Sequence, residues 1–362
     1  MRQNKSIKPF VLGLLSIGLF GCIQKEELAH VGDAENILVT SDQRLLVSGG
    51  DNIYQVFPGT ARDPEPLFKG NAKVGADKCN FTGIAEYGDW VFTSCVQRTF
   101  LIFTNNHLLA ANKNDEQLEF KVISALSGSD PYDRIGLPNG LAFAPDGALL
   151  VGDYDFIYKS GVARVALSLQ GDQPQIISVQ KNFVSPTAHG VTSVNGVRVV
   201  GDTLYLSDVN TVKRFAFDAQ AQVPADIVLP DGSERPNGST MWSGNLAIVD
   251  DIMPLCDGVA LTSYLSGQLH YVASYVDTQG EEHFPVLYSS PPFGFESPSA
   301  LAVANIPGVL DGTDLLVTEK GLLGELDSEN GNRLVKAPVT LDLNDPQLCS
   351  DIQQWAREAI EG

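Results

Sequence analysis

Six short stretches of this chain share one pattern, polar-small-aliphatic-x-aliphatic. They begin at Glu35 (ENILV), Thr82 (TGIAE), Asn139 (NGLAF), Asn195 (NGVRV), Gly244 (GNLAI) and Ser299 (SALAV). Each is followed by a turn and a second strand-like run: RLLVSG from Arg44, DWVFTSC from Asp89, ALLVGDY from Ala148, TLYLSD from Thr203, VALTSY from Val259 and DLLVTE from Asp314. The starts recur at a period of about 50 residues, which belongs to four-stranded propeller blades rather than to helical solenoids. Further apolar runs supply outer strands, among them TFLIFTNN from Thr99 and LEFKVISAL from Leu118 in blade two, and GLLGELDS from Gly321 and NRLVKAPVTL from Asn332 in blade six. Asn330-Gly331 between the last two is a hairpin-turn signal, because both residues tolerate positive φ.

The predicted fold is therefore all-β: a six-bladed β-propeller, four antiparallel strands per blade, with a short C-terminal helix. The helix is expected in the tail, where Pro346 stands at a helix start and Leu348, Ile352, Trp355 and Ile360 form an apolar face. The predicted organisation is 1–21 signal peptide, 22–33 tether, 34–343 propeller and 344–362 helical tail. Blade five has two readings. Starting it at Gly244-Asn245 gives four strands and makes it parallel to blade six in pattern; Asp257-Gly258-Val259 also looks like a first strand but leaves only three.

Composition changes this picture little. The chain has 362 residues, 43% hydrophobic and 19% charged, with 34 Gly and 20 Pro, enough for a sizeable core. Its formal charge is −20 with Lys and Arg unclustered, so the basic footprint of a nucleic-acid binder is missing. The N-terminus matters more. Arg2, Lys5 and Lys8 precede an apolar run from Phe10 to Phe20 that is too short to span a bilayer, and Gly21-Cys22 closes it. Leu19-Phe20-Gly21-Cys22 resembles a bacterial lipobox, with Phe20 larger than the small residue usual there. The resemblance implies cleavage before Cys22 and lipidation of it. Ile23, rather than Asp, in the next position implies the outer membrane, facing the periplasm. Cleavage removes three positive charges and takes −20 to −23. Four cysteines remain. Cys79 and Cys95 flank the inner hairpin of blade two, whose turn near Tyr87-Gly88 places them almost opposite one another, so a disulfide between them is expected. Cys256 and Cys349 are then either a second pair or two free buried thiols.

In a propeller the starts of the inner strands converge on one end of a central channel. Glu35, Asn139 and Asn195 hold equivalent positions in blades one, three and four. A carboxylate with amide carbonyls is a hard-oxygen set that suits Ca²⁺ rather than Zn²⁺ or Cu²⁺. Asn beside Gly at a strand start is equally well explained as a turn former.

The runs Asn139-Gly-Leu-Ala-Phe-Ala-Pro-Asp-Gly, Val194-Asn-Gly-Val and Glu35-Asn-Ile resemble the senescence-marker-protein-30/gluconolactonase superfamily, which includes luciferin-regenerating-enzyme-like and paraoxonase-like propellers. The repeat plan covers the whole mature chain; the specific part is these three short motifs. The resemblance implies a central Ca²⁺ polarising a lactone carbonyl or phosphoryl oxygen, with metal ligands at Glu35, Asn139 and Asn195. The family usually has Asp at the blade-five strand start. The preferred register puts Gly244-Asn245 there, making Asn245 the fourth ligand; the other register supplies Asp257, which would also be a base or nucleophile. His189, in the loop entering blade four, is a second candidate base, against the plainer reading that it bonds its own loop. Ser94-Cys95 stands where paraoxonase-like enzymes carry a catalytic histidine. No G-x-S-x-G elbow, H-E-x-x-H or P-loop occurs. The reading is an exported, lipid-anchored, monomeric Ca²⁺ propeller that takes a small-molecule substrate or ligand at the channel, contacts the membrane through its lipid only, and hydrolyses lactones or related esters. The alternative is a non-enzymatic envelope propeller that binds a ligand or protein partner, its metal structural or absent. Cys22→Ala is expected to release the protein from the membrane fraction into the soluble one; continued sedimentation with membranes would remove the lipobox assignment.

Overall fold

A computed structural model describes residues 23–69, 79–99, 102–103, 106–126, 135–155, 160–228, 232–245, 247–321, 331–337 and 345–361. The signal segment, Cys22, most of Gly321–Ser328 and the Asn330 end of the expected hairpin lie outside these residues. Six antiparallel sheets follow one another along the chain. Blade one is Ala34–Val39, Leu45–Gly49, Asn52–Val56 and Glu65–Pro66; blade two is Cys79–Tyr87, Trp90–Thr99, His107–Asn112 and Lys121–Ala125. Blade three is Pro138–Phe143, Leu149–Asp153, Val162–Ser168 and Gln175–Val184; blade four is Val194–Val200, Thr203–Asp208, Thr211–Ala216 and Ser239–Ser243. Blade five is Val249–Leu255, Gly258–Ser263, Gln268–Val272 and Val286–Ser289; blade six is Pro298–Ile306, Leu310–Glu319 and Arg333–Ala337.

The fourth strand of blade six comes from the other end of the chain. Glu26–His30 pairs antiparallel with Arg333–Ala337, Glu26 opposite Lys336 and His30 opposite Arg333. The segment expected to be a tether is thus largely structural, and it closes the ring. Lys25 bonds the buried Glu319 at 2.6 Å, and Arg333 reaches the other oxygen of the same carboxylate at 2.6 Å. Blade two departs from expectation as well. Its third strand is His107–Asn112, paired with the Trp90–Cys95 part of the second strand, rather than the Thr99–Asn106 run.

The continuous apolar runs of the second strands follow from this architecture. Neighbouring blades cover both faces of each sheet, so alternation disappears and Leu45, Leu46 and Val47 are all buried. Leu45 and Val47 pack toward blade six with Leu316 and Leu334, whereas Leu46 packs toward blade two with Phe81 and Val91. Cys79 and Cys95 are disulfide-bonded with Cα atoms 5.2 Å apart, and Cys256 is bonded to Cys349 at 5.3 Å. The second bridge ties the C-terminal helix Leu348–Glu361 to blade five, where Leu348, Ile352 and Ala356 bury against Tyr271 and Ala273. Ile360, expected on that face, stays 40% exposed. No helix among the described residues is long and apolar enough to cross a membrane.

Candidate functional site

Every inner strand begins with the same irregularity. The pairing register shifts between Ala34 and Asn36, Phe81 and Ile84, Pro138 and Leu141, Val194 and Val197, Val249 and Ile252, and Pro298 and Ala300. A bulge frees a backbone N–H from the ladder and re-aims the side chain beside it. In four blades a hydroxyl from the second strand accepts the freed N–H: Asn36 N to Ser48 at 3.3 Å, Gly196 N to Ser207 at 2.5 Å, Asp251 N to Thr262 at 2.9 Å and Ala300 N to Thr318 at 2.8 Å. The residues within the bulges are Glu35, Thr82, Asn139, Asn195, Asp250 and Ser299. Gly after Asn139 has a packing cause: a Cβ on Gly140 would overlap the Asn195 carbonyl of the next blade. The Asn-Gly pairs are therefore bulge-and-nesting positions, not turns.

Blade five corrects the sequence reading. Its inner strand runs Val249–Leu255, so Val249-Asp250-Asp251-Ile252 stands where blade four has Val194-Asn195-Gly196-Val197. The carboxylate at the strand start is Asp250, and both proposed starts miss it. Asn245 is exposed in a turn before the strand. Asp257 lies in the exposed turn after the strand, accepting from Gln353 at 3.1 Å, and six residues, five of them in the strand, lie between it and Asp250, roughly 20 Å. The aliphatic spacing of Leu246-Ala-Ile drew the register six residues too early, although the Val-polar-polar-Ile signature was available. Asp251 occupies the position of Gly196, and Arg198 of blade four bonds its buried carboxylate at 2.5 Å.

His189 is likewise not at the channel. It ends the short helix Pro186–His189, where Nδ1 accepts from Ser185 N at 3.0 Å and Nε2 bonds the Val223 carbonyl at 2.9 Å. Both ring nitrogens serve the loop. Asp153 is a loop anchor too, accepting from Gly136 N at 3.1 Å and Leu137 N at 2.8 Å. Asp208 does the same for Thr192 N and Ser193 N, and Glu319 for Glu296 N. These acids end second strands and fix the loops that enter the inner strands.

Glu35, Asn139, Asn195 and Asp250 are all buried at the inner-strand starts. Asn139 Nδ2 donates to Glu35 Oε1 at 3.0 Å, and its Oδ1 accepts from Asn36 Nδ2 at 3.4 Å. Asn195 Nδ2 donates to Asp250 Oδ1. A group that sequence reasoning missed completes the cluster: Lys320, the residue after the second strand of blade six, bonds Glu35 Oε2 and stands 3.6 Å from Asp33 Oδ1. Tyr264, placed equivalently in blade five, donates from its hydroxyl to the Gly321 carbonyl at 3.1 Å.

The Lys320 ammonium is thus bonded to Glu35 and close to Asp33, and it also feels the charge of Asp250. Burial pushes the Lys320 pKa down, but the three carboxyls outweigh it and the net direction is up, so the ammonium stays charged. Among the described residues no cation is bonded to Asp250. Burial, then the Glu35 charge, holds its carboxyl well above the usual range against the pull of Lys320 and Asn195. Burial also raises Asp33, to about 6, with Lys320 opposing. Tyr154, at the end of the second strand of blade three, is raised by burial and by the charges of Asp250 and Glu35.

The donor chemistry of Glu35, Asn139, Asn195 and Asp250 is that of a calcium site, but their arrangement is not. Both asparagines turn N–H, not oxygen, to the carboxylates, and an ammonium is bonded to Glu35. With Lys320 in place these residues do not fit Ca²⁺, and no group of three or more His, Cys, Asp or Glu is disposed to hold a metal among the described residues.

No protein-family model matches the chain, and no curated protein matches it. Solved structures share its fold. The PQQ-bound form of an aldose sugar dehydrogenase from Streptomyces coelicolor is 15% identical, with TM-score 0.56 over 86% of this chain and 95% of that one. A glucose dehydrogenase is 11% identical, TM-score 0.53, over 88% and 100%. A luciferin-regenerating enzyme is 11% identical, TM-score 0.53, over 87% and 93%. At these identities the likeness is one of fold.

The charge arrangement predicts a pH dependence. The folded chain holds the Asp33 proton more tightly than the unfolded chain. That stabilisation is complete below about pH 4 and is lost as pH rises through about 6. Asp33→Asn, which also suits the positive φ of 51° at this position, is expected to match wild type near pH 4 and exceed it by ~2 kcal/mol at neutral pH in denaturant melts. A variant less stable than wild type at neutral pH would show that attraction to Lys320 dominates instead.

Proposed function

We propose that the mouth of this channel is a small-molecule site whose carboxyl groups hydrolyse lactones or related esters, in an exported protein held to the envelope by lipid on Cys22. The observation that carries the reading is the unequal treatment of carboxyls in one buried cluster. Glu35 is ion-paired to Lys320, while among the described residues no cation is bonded to Asp250, and burial holds its carboxyl well above the usual range. Environments that push neighbouring carboxyls apart separate acid from base roles. Asp250 donates to the substrate carbonyl and leaving oxygen. Asp33, poised near neutral pH, accepts the proton of the attacking water. Water oxygen bonds the carbonyl carbon, the C–O bond of the ester breaks, and the departing oxygen takes the Asp250 proton, giving a hydroxy acid from a lactone. That the fold also carries an aldose sugar dehydrogenase and a luciferin-regenerating enzyme supports a small-molecule site, and the reaction assignment rests on the residues alone.

A second reading has its own observation. The four inner-strand side chains and Lys320 are bonded largely to one another, as in a structural plug, which favours a propeller that binds a ligand or partner without turning it over. An assay of the mature protein against a panel of lactones and aryl esters separates the two. Turnover that Asp250→Asn lowers by ~10²-fold or more, in a folded variant, supports the hydrolase. Turnover indifferent to Asp250, or none on any substrate, transfers the assignment to the binder.

A further inference from the structure

Lys320 is held too firmly to be an incidental surface lysine. Its neighbour Glu319 is buried and takes Lys25 at 2.6 Å, Arg333 at 2.6 Å and the Glu296 N–H at 2.7 Å. Lys320 is the next residue, just past the end of the strand, and its ammonium reaches the bulge residue Glu35 of blade one and Asp33 before it. Lys320 N bonds the Ser297 carbonyl at 3.2 Å, and the Gly321 carbonyl accepts from Tyr264. The backbone on each side of the ammonium is therefore pinned to blade five or to the loop that enters blade six. Its side chain is 19% exposed, with the charge delivered to Glu35 and Asp33.

The surrounding frame is one that ordinarily calls for a cation. Two carboxylic side chains and two amides from four blades meet there, and isolated buried carboxylates are unstable without a counter-charge. Calcium meets such a need by drawing carboxylate and amide oxygens onto one centre. Here the amides instead donate N–H to the carboxylates, an orientation that serves a frame whose positive charge is already present on the chain.

We infer that Lys320 is the resident cation of the channel frame: a tethered ammonium from blade six occupies the role of a metal ion, and the wild-type protein binds no calcium there. The inference stands on the arrangement of the frame and is independent of ester hydrolysis. It also carries a converse. Removing the ammonium leaves Glu35, Asp250, Asn139 and Asn195 as an open hard-oxygen set, so a neutral residue at position 320 turns the frame into a calcium site.

The test is thermal melting of the mature protein in EDTA and in millimolar CaCl₂, for wild type, Lys320→Ala, Lys320→Arg and Glu35→Gln. The expected result is a wild-type midpoint indifferent to calcium, a Lys320→Ala midpoint depressed in EDTA and raised by roughly 4 °C on adding calcium, and a Lys320→Arg protein that stays calcium-indifferent. A saturable calcium-dependent rise in wild type that Glu35→Gln abolishes would overturn the inference, because the metal would then enter with the lysine present. A Lys320→Ala protein melting with wild type in EDTA would also overturn it, since the frame would not need the ammonium. Should Lys320→Ala fail to fold, the wild-type titration decides by itself. Because the readout is melting, lack of turnover on any ester leaves this conclusion untouched.

Discussion

The bulge that opens each inner strand sets everything at the axis of this molecule, because it converts a packing repeat into a ring of individually chosen side chains. A regular strand alternates its side chains between two faces that are both claimed by neighbouring blades. Inserting one residue breaks that alternation for a single position and releases an N–H, which Ser48, Ser207, Thr262 and Thr318 accept in their blades. The cost of the irregularity is thus offset locally. Each blade is free to place Glu, Thr, Asn, Asp or Ser there without disturbing the sheet. Thr82 and Ser299 spend their hydroxyls on the carbonyls of Pro138 and Ala34, in the adjacent blades along the ring or next to it, while the other four form the polar frame.

Charge then decides what the frame is. Three carboxyls and a single ammonium cannot all be ionised in a buried cluster without a large penalty; Glu35 takes the cation, and burial with the Glu35 charge holds the Asp250 carboxyl well above the usual range. Burial is the first cause of the upward shifts of Asp33 and Tyr154, and the Glu35 charge adds to both. Ring closure supports it mechanically. Glu26–His30 completes blade six and Lys25 bonds Glu319, so the N-terminal segment, the blade that carries Lys320 and the ammonium at the axis form one connected unit.

Much of the fold was legible because the second strands are nearly pure apolar runs and recur at a fixed period. The disulfide across the blade-two hairpin followed from the turn at Tyr87-Gly88. What escaped was what a linear pattern does not encode. Glu26–His30 alternates weakly and finds its partner some 300 residues away in sequence, through ring closure rather than a hairpin. In blade five the apolar run Leu246-Ala-Ile imitates a strand start, and the strand begins later at Val249, so Asp250 was passed over for Asn245 and Asp257. His189 was drawn to the channel by its nearness to Asn195 in sequence, although a four-residue helix turns it to Val223. Lys320 gave no motif at all. Its meaning comes from contacts distant in sequence, with Glu35 and Asp33 of blade one beside it and Glu319 before it anchored by three bonds.

The most direct measurement is a crystal structure of the mature protein grown with excess calcium, at a resolution that separates a nitrogen from a metal. The account predicts Lys320 Nζ in the frame, at hydrogen-bonding distances of about 2.7–2.9 Å from carboxylate oxygen, with Asn195 still donating to Asp250. A spherical peak about 2.3–2.6 Å from oxygens of Glu35, Asn139, Asn195 and Asp250, with Lys320 swung out of the channel, would contradict it.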